Sequence, residues 1–265
     1  MDAHPEIVCK GEAHFGSDVI DGLARLFSDY NKEIETKGGA VAHLKKFGGH
    51  TDVLSYSAKD VDFLATAAIS LMLSKWLEGS ETKCLGEKTP DNLAYMERLA
   101  GYFPQSRFVH IIRDGRDVAV SLWYFNMKND IGRTIQTWGT FKKFASEFAS
   151  NWNDRVSRGR AVGAGLGSER YCEIRYEDLI SKPLETLETV SGFLKVDSSR
   201  DLLQSCVNAC AFEKLSGGRA QGDEDHDSFY RKGVSGDWKN HFDAEDNDRF
   251  FDQCGALMEE LGYAA

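Results

Sequence analysis

The sequence has no Cys-x-x-Cys pair, no apolar run of membrane-spanning length, no internal repeat, no low-complexity segment and no excess of positive charge. Each absence removes a class of protein. The six cysteines (Cys9, Cys84, Cys172, Cys206, Cys210 and Cys254) are scattered, and Cys206 and Cys210 stand one helical turn apart with no histidine partner nearby. That spacing predicts neither a metal site nor a disulfide framework, and scattered thiols suit a reducing compartment. No stretch approaches the roughly 18 apolar residues of a membrane span, and no signal-peptide pattern is found. A cytoplasmic location is the resulting expectation, one that any segment ahead of Met1 would reopen. The net charge of −10 argues against a general binder of nucleic acid or anionic membranes. An anion bound here needs a local cluster of basic groups.

What is present is ordinary for a globular protein: 265 residues, 42% hydrophobic and 28% charged, enough for one large domain. The residue before a proline disfavours helical geometry, so Met1 to His4, ahead of Pro5, reads as the last turn of a helix. Breaks are expected at Lys37-Gly38-Gly39, Gly48-Gly49 and the glycine cluster 163–167, and Ser216 to Asp227 is a charged, glycine-containing stretch. Between the breaks, apolar spacing predicts helices over Val19 to Lys37 and Asp60 to Glu78. Thr89-Pro90 reads as a helix start, with threonine as cap and proline in the first turn. Further helices are expected over Asp114 to Phe125, as one long helix from Ile131 past Val156, and over Leu184 to Leu194, Asp201 to Val207 and Asp246 to Leu261. Lys83 to Gly86, Arg107 to Ile112 and Tyr171 to Arg175 read as strands. Strands alternating with helices predict an α/β fold with a parallel sheet, whose ligands lie at the carboxyl ends of the strands.

Two segments can hold an anion. Arg113-Asp114-Gly115-Arg116-Asp117 follows the Phe108–Ile112 strand and opens a helix. A helix N-terminus offers free N–H groups and partial positive charge, arginine adds a planar donor fork, and Ser121 adds a hydroxyl. The plainer alternative pairs Arg113 with Asp114 or Asp117 as a cap. Arg231-Lys232-Gly233 sets two cations beside a glycine, which allows backbone N–H groups to approach an anion closely; Phe229 could flank a flat ring. The alternative there is a basic turn ahead of a core Trp238.

Taken in order, these segments resemble the sulfotransferases that use 3′-phosphoadenosine-5′-phosphosulfate (PAPS). Arg113 to Ser121 is similar to the family's 3′-phosphate-binding segment. Arg231-Lys232-Gly233 with the stretch Gly236 to Phe242 resembles its C-terminal cofactor loop. Arg175-Tyr176-Glu177-Asp178-Leu179 is similar to the strand end whose tyrosine, here Tyr176, lies near the nucleotide, and Phe212 matches the phenylalanine that stacks on adenine. The resemblance runs from His4 to Tyr263, as one sulfotransferase domain over residues 1–265. In the tyrosylprotein and heparan sulfate branches a Pro-Glu/Asp segment precedes a catalytic glutamate. That role falls here on Glu12, with His14 where a basic side chain is kept; the alternative has Glu12 capping a helix that begins near Ser17. Lys88, in Glu87-Lys88-Thr89-Pro90, matches a lysine that helps stabilise the transferring group; otherwise it is an exposed lysine before a helix, a poor place for a cation unless an anion is also present.

The resemblance implies a P-loop-NTPase-like parallel sheet flanked by helices. It implies sulfuryl transfer from PAPS to an acceptor hydroxyl or amine, with Glu12 as a base of raised pKa in partial burial. It implies adenosine 3′,5′-bisphosphate (PAP) as product, with no metal and no nucleic acid. The acceptor (small molecule, carbohydrate or protein tyrosine) and the oligomeric state are not legible. Family members begin with a strand and a Ser-Gly-Thr-Thr type loop that cradles the 5′-phosphosulfate, and neither that loop nor a Gly-x-x-x-x-Gly-Lys segment occurs in the 265 residues. The expectation is an N-terminally shortened domain, nearly inactive as it stands. Its competitor is an inactive remnant that keeps the 3′-phosphate site. A nucleoside-type kinase needs the same loop and a Mg²⁺-binding carboxylate pattern that does not stand out.

Overall fold

The chain is described by a computed structural model covering residues 1–42, 54–77, 82–226 and 228–264. It divides into a His4–Ser106 unit and an Arg107–Ala265 unit.

In the His4–Ser106 unit the chain enters through turns; Met1 to His4 is not the end of a helix. The His4 ring Nδ1 accepts from the Glu6 amide at 3.1 Å and the His4 carbonyl accepts from the Ile7 amide at 3.1 Å, so the turn feeds directly into a strand. That strand, β1 (Ile7–Lys10), pairs in parallel with β2 (Cys84–Glu87), from Ile7 opposite Cys84 to Lys10 opposite Glu87. A π-helical turn at Phe15–Ile20 leads into α1 (Asp21–Ala42), which runs straight through the expected break at Lys37-Gly38-Gly39. Glycine costs a helix about 1 kcal/mol but does not block it sterically, and no proline follows before Pro90. Gly48-Gly49 lies outside the described residues. Helix α2 (Ala58–Trp76) starts with a capping box: Asp60 N donates to Ser57 Oγ at 3.4 Å and Ser57 N to Asp60 Oδ2 at 2.7 Å. It buries Val61, Ala65 and Ile69, and the same unit buries Phe15, Ile20, Met96 and Leu99. Helix α3 (Asn92–Tyr102) begins later than the Thr89 cap predicts, because the Thr89 hydroxyl turns to Glu87 and Asp91 precedes the first turn.

In the Arg107–Ala265 unit, β3 (Phe108–Ile112) pairs in parallel with β4 (Tyr171–Arg175), from Phe108 opposite Tyr171 to Ile112 opposite Arg175. Helix α4 (Gly115–Asn129) follows β3, capped by Asp114, whose side chain accepts from the Arg116 amide at 2.9 Å. The single long helix expected from Ile131 is two helices, α5 (Ile131–Trp138) and α6 (Phe141–Leu166). The break is Gly139 at φ 73°, a conformation that favours glycine, followed by Thr140, whose hydroxyl accepts from the Lys143 amide at 3.4 Å. Helix α6 passes through Gly163 and Gly165 and stops just before Gly167. Its buried Phe144, Ala149, Trp152 and Val156 pack with Ile112, Val120 and the Phe250, Cys254 and Met258 face of the helix Ala244–Glu260, which has its own Asp243–Asp246 capping box.

The result is a helix-rich α/β chain with parallel strand pairing. All six cysteines are free. Among the described residues no helix is long and apolar enough to cross a membrane, and no group of three or more His, Cys, Asp or Glu is placed to hold a metal ion.

Candidate functional site

The Arg107–Ala265 unit gathers basic groups around the carboxyl end of β3. Arg113, the residue after that strand, donates from Nη2 to the Val234 carbonyl at 3.2 Å and stacks its guanidinium 4.5 Å from the centre of the Tyr176 ring. Tyr176 opens α7 (Tyr176–Ser181) directly after β4, so the two parallel strands deliver Arg113 and Tyr176 to the same end. The Arg113 Nε is buried and has no hydrogen-bond partner. The plainer alternative for Arg113, a surface cap, holds only weakly: its nearest carboxylate, Asp117 Oδ2, is 3.9 Å away. Arg116 is the arginine that follows the plain reading. It is 2% exposed, paired with Asp114 through Nε at 3.1 Å and Nη2 at 2.8 Å, bonded to Asn247 Oδ1 at 2.8 Å and stacked 3.5 Å from the Trp238 ring. Ser121 lies half-buried on α4, one turn beyond Asp117 on the same face.

The second basic segment arrives at the same place through Val234. Arg231 and Lys232 converge on Asp237, with Nη2 at 2.5 Å and Nζ at 2.6 Å from its two oxygens, and Asn240 Nδ2 adds a third donor at 2.9 Å. Burial alone would push the Asp237 carboxyl up, but the bonds from Lys232, Arg231 and Asn240 outweigh it and hold the group well below the usual carboxylate range. Arg231 also pairs with Glu224 and lies 5.0 Å from the Tyr124 ring centre. Gly233 sits at φ 68°, and a Cβ there would stand 2.2 Å from Cδ2 of Phe212, so the ring is pressed against bare backbone. Arg219 covers the same ring at 5.5 Å. Phe229 is not drawn into this cluster: it is 75% exposed and packs edge-on to Tyr230.

Glu12, His14 and Lys88 form their own group in the His4–Ser106 unit. The Glu12 carboxylate is ion-paired with Lys88 and 3.8 Å from His14 Nε2, and the Glu12 side chain is 37% exposed, less enclosed than its expected role as a base implies. It does not cap the helical turn that starts at Phe15; His14 precedes that turn, in the left-handed region at φ 49°. Lys88 does have its anion, and that anion is Glu12. Behind them Glu87 holds the segment together by accepting from the Ala13 amide at 2.8 Å and from the Thr89 and Asn92 side chains.

Sequence alone gives no role to Glu87, Asp237 or Glu224, and offers Asp117 only as a counter-ion to Arg113. A legible signal existed for two of them: Asp237 stands inside the Gly236-Asp237-Trp238 stretch, and Asp117 lies four residues after Arg113.

The sulfotransferase domain family matches residues 96–262. The chain is 26% identical over 156 residues to Sulfotransferase 1B1 of Mus musculus, covering 54% of this chain and 51% of the relative. It is 27% identical over 156 residues to a flavonol sulfotransferase-like protein of Flaveria bidentis, covering 52% and 50%. The chain thus spans about half the length of these curated relatives. Its fold is similar to that of mouse sulfotransferase SULT7A1 complexed with PAP, with a TM-score of 0.53 and 18% identity over 72% of this chain and 74% of that one. The family match contains Arg113, Ser121, Tyr176, Phe212, Phe229, Arg231, Lys232 and Gly233; Glu12, His14 and Lys88 lie before it.

Proposed function

This chain belongs to the sulfotransferase family, and on that premise we propose that it binds PAPS and moves its sulfuryl group to an acceptor hydroxyl or amine. The observation that carries the proposal is the convergence of Arg113, Phe212 and Arg231-Lys232-Gly233 within one unit. The donor set suits a 3′-phosphate. Arg113 keeps a buried, unpartnered Nε, and Arg231 and Lys232 are oriented from behind by Asp237, so their geometry is set before an anion arrives. Phe212, packed against Gly233, is the ring this reading gives to adenine, and Tyr176 backs Arg113. Ser121 supplies a hydroxyl from the α4 face. Phe229 is the least supported member, since it reaches the nucleotide only if the exposed ring turns inward.

In the transfer itself the acceptor oxygen or nitrogen attacks sulfur, the bond from sulfur to the 5′-phosphate oxygen breaks, and PAP leaves. Glu12 takes the acceptor proton. Lys88 stabilises charge on the transferring group and leaving oxygen, and His14 shares the Glu12 carboxylate. The same reading takes residues 1–265 as one sulfotransferase domain, of P-loop-NTPase-like α/β type. The free cysteines support a reducing compartment for it.

A second reading, an inactive chain that keeps its nucleotide site, is favoured by one sequence fact: no Ser-Gly-Thr-Thr or Gly-x-x-x-x-Gly-Lys segment is among the 265 residues. Losing a single fixed donor at a transition-state oxygen costs about 10²–10³ in rate, so turnover by these residues alone is expected to be very slow. The test measures sulfuryl transfer from radiolabelled PAPS to a panel of phenols, alcohols and amines, alongside calorimetry with PAP. Binding with transfer supports the enzyme, binding without transfer supports the second reading, and no binding ends both.

A further inference from the structure

Asp117 is the most buried carboxylate among the described residues, at 0% exposure, and it lies on α4 away from any solvent that could hydrate its charge. Its Oδ2 accepts from the Gly236 amide at 2.6 Å and its Oδ1 from the Trp238 amide at 2.9 Å. The two amides flank Asp237, the residue that holds Arg231 and Lys232. On the other side, Asp117 Oδ2 is 3.9 Å from Arg113 Nη2. One carboxylate therefore touches both halves of the basic cluster.

Resting on the reading of that cluster as a 3′-phosphate site, we infer that Asp117 is its positioning residue: it docks the Gly236–Trp238 turn onto α4 and so fixes Arg231 and Lys232 opposite Arg113. A fully buried charge is a weak way to stabilise a fold, because desolvation cancels much of what its partners return. Burial indeed pushes the Asp117 carboxyl up, against the pull of the Gly236 amide, Arg113 and the Trp238 amide. Its geometric use is specific. A carboxylate presents two acceptor atoms to two backbone donors, whereas an asparagine has one acceptor oxygen and would turn its NH₂ toward the other N–H. Asp117→Asn keeps the shape of the side chain and breaks the docking.

The test compares PAP with adenosine 5′-monophosphate, which differs by the 3′-phosphate alone, using calorimetry on the wild-type chain and on Asp117→Asn. Losing charge-assisted contacts corresponds to about tenfold to a hundredfold in affinity. The expected result is that loss for PAP with little change for the monophosphate. Equal PAP affinity in both proteins overturns the inference and leaves the 3′-phosphate site standing. An equal loss for both nucleotides also overturns it, since that is the mark of general loosening. A wild-type chain that does not prefer PAP overturns the site reading and the inference together. If Asp117→Asn does not fold, amide hydrogen exchange on the wild-type chain decides instead. Gly236 and Trp238 must exchange slowly, and more slowly with PAP than with the monophosphate; exchange at the same rate with both refutes the positioning role.

Discussion

In the Arg107–Ala265 unit, the charged groups that brace the half-buried Arg113, Arg231 and Lys232 are themselves buried and held by several partners each. Asp237 is 3% exposed with three side-chain donors, Asp117 is 0% exposed with two amides, and Arg116 is 2% exposed between Asp114, Asn247 and Trp238. In the His4–Ser106 unit the corresponding charges stand at the surface: the Glu12 and Lys88 side chains are 37% and 59% exposed, and Arg98 and Asp62 are 41% and 47% exposed. Buried charges with fixed partners recognise a ligand feature without rearranging. Exposed pairs are held weakly, because water screens them. Under the proposed function, the first unit would hold a constant ligand and the second would move a proton.

The sharpest way to break that comparison is Glu12→Gln. General bases contribute about 10²–10⁴ to a rate, so in a chain extended by a Ser-Gly-Thr-Thr type loop, transfer from radiolabelled PAPS should fall by at least a hundredfold while PAP affinity by calorimetry stays the same. Retained turnover removes Glu12 as the base, and a matching loss of PAP binding removes the division of labour.

A second effect belongs to the Arg107–Ala265 unit alone. His110 is buried on β3, its Nδ1 2.6 Å from the Tyr171 hydroxyl, and burial pulls its pKa down to about 4 despite the nearby Glu173. The unfolded chain takes up this proton near the ordinary histidine value of about 6.5, before the folded chain does. The stability His110 supplies is therefore complete above about pH 6.5, falls as pH drops toward 4, and is gone below it, a loss of about 3 kcal/mol. Urea unfolding across that window should show the slope, and His110→Gln should flatten it. An unchanged slope in the variant places the acid sensitivity elsewhere.

Arg113→Ala comes next. It removes the guanidinium stacked on Tyr176 with its buried Nε, and PAP affinity should fall about tenfold to a hundredfold. Unchanged affinity would take Arg113 out of the 3′-phosphate site.

The sequence made β3 and β4 legible because they are short, β-rich runs followed at once by helix-opening residues, whereas β1, four residues with only Ile7 and Val8 β-branched, gave no such signal. The same runs marked Arg113 and Tyr176, which sit where parallel strands end. Apolar spacing alone could not reveal the Gly139 break. Ile135, Trp138 and Phe141 keep a helical period across it, while one glycine φ and a threonine cap end the first helix and start the second. Thr89 looked like a cap by type, but its hydroxyl accepts from the His14 amide at 3.3 Å and donates to Glu87, so it serves no first-turn amide. The counter-ions were hardest to read. Asp117 meets Gly236 and Trp238 across more than a hundred residues of chain, and no local pattern encodes a partner at that distance.

The smallest effect expected is on stability, from Lys88→Met. The ammonium is 59% exposed and its partner Glu12 37% exposed. Exposed pairs of this kind contribute about 0–1 kcal/mol, because water screens the attraction and ordering two long side chains costs entropy. Urea unfolding should therefore place Lys88→Met within about 1 kcal/mol of the parent, and any difference should shrink in added salt. The fold here is held by neighbours that the substitution leaves alone, Glu87 accepting from the Ala13 amide and β1 paired along β2. A loss well above that bound would mean that Lys88 and Glu12 are a structural clasp. The surface pair would then resemble the fixed charges around Asp237, and the contrast between the two units would fail at the residues proposed to carry the transfer.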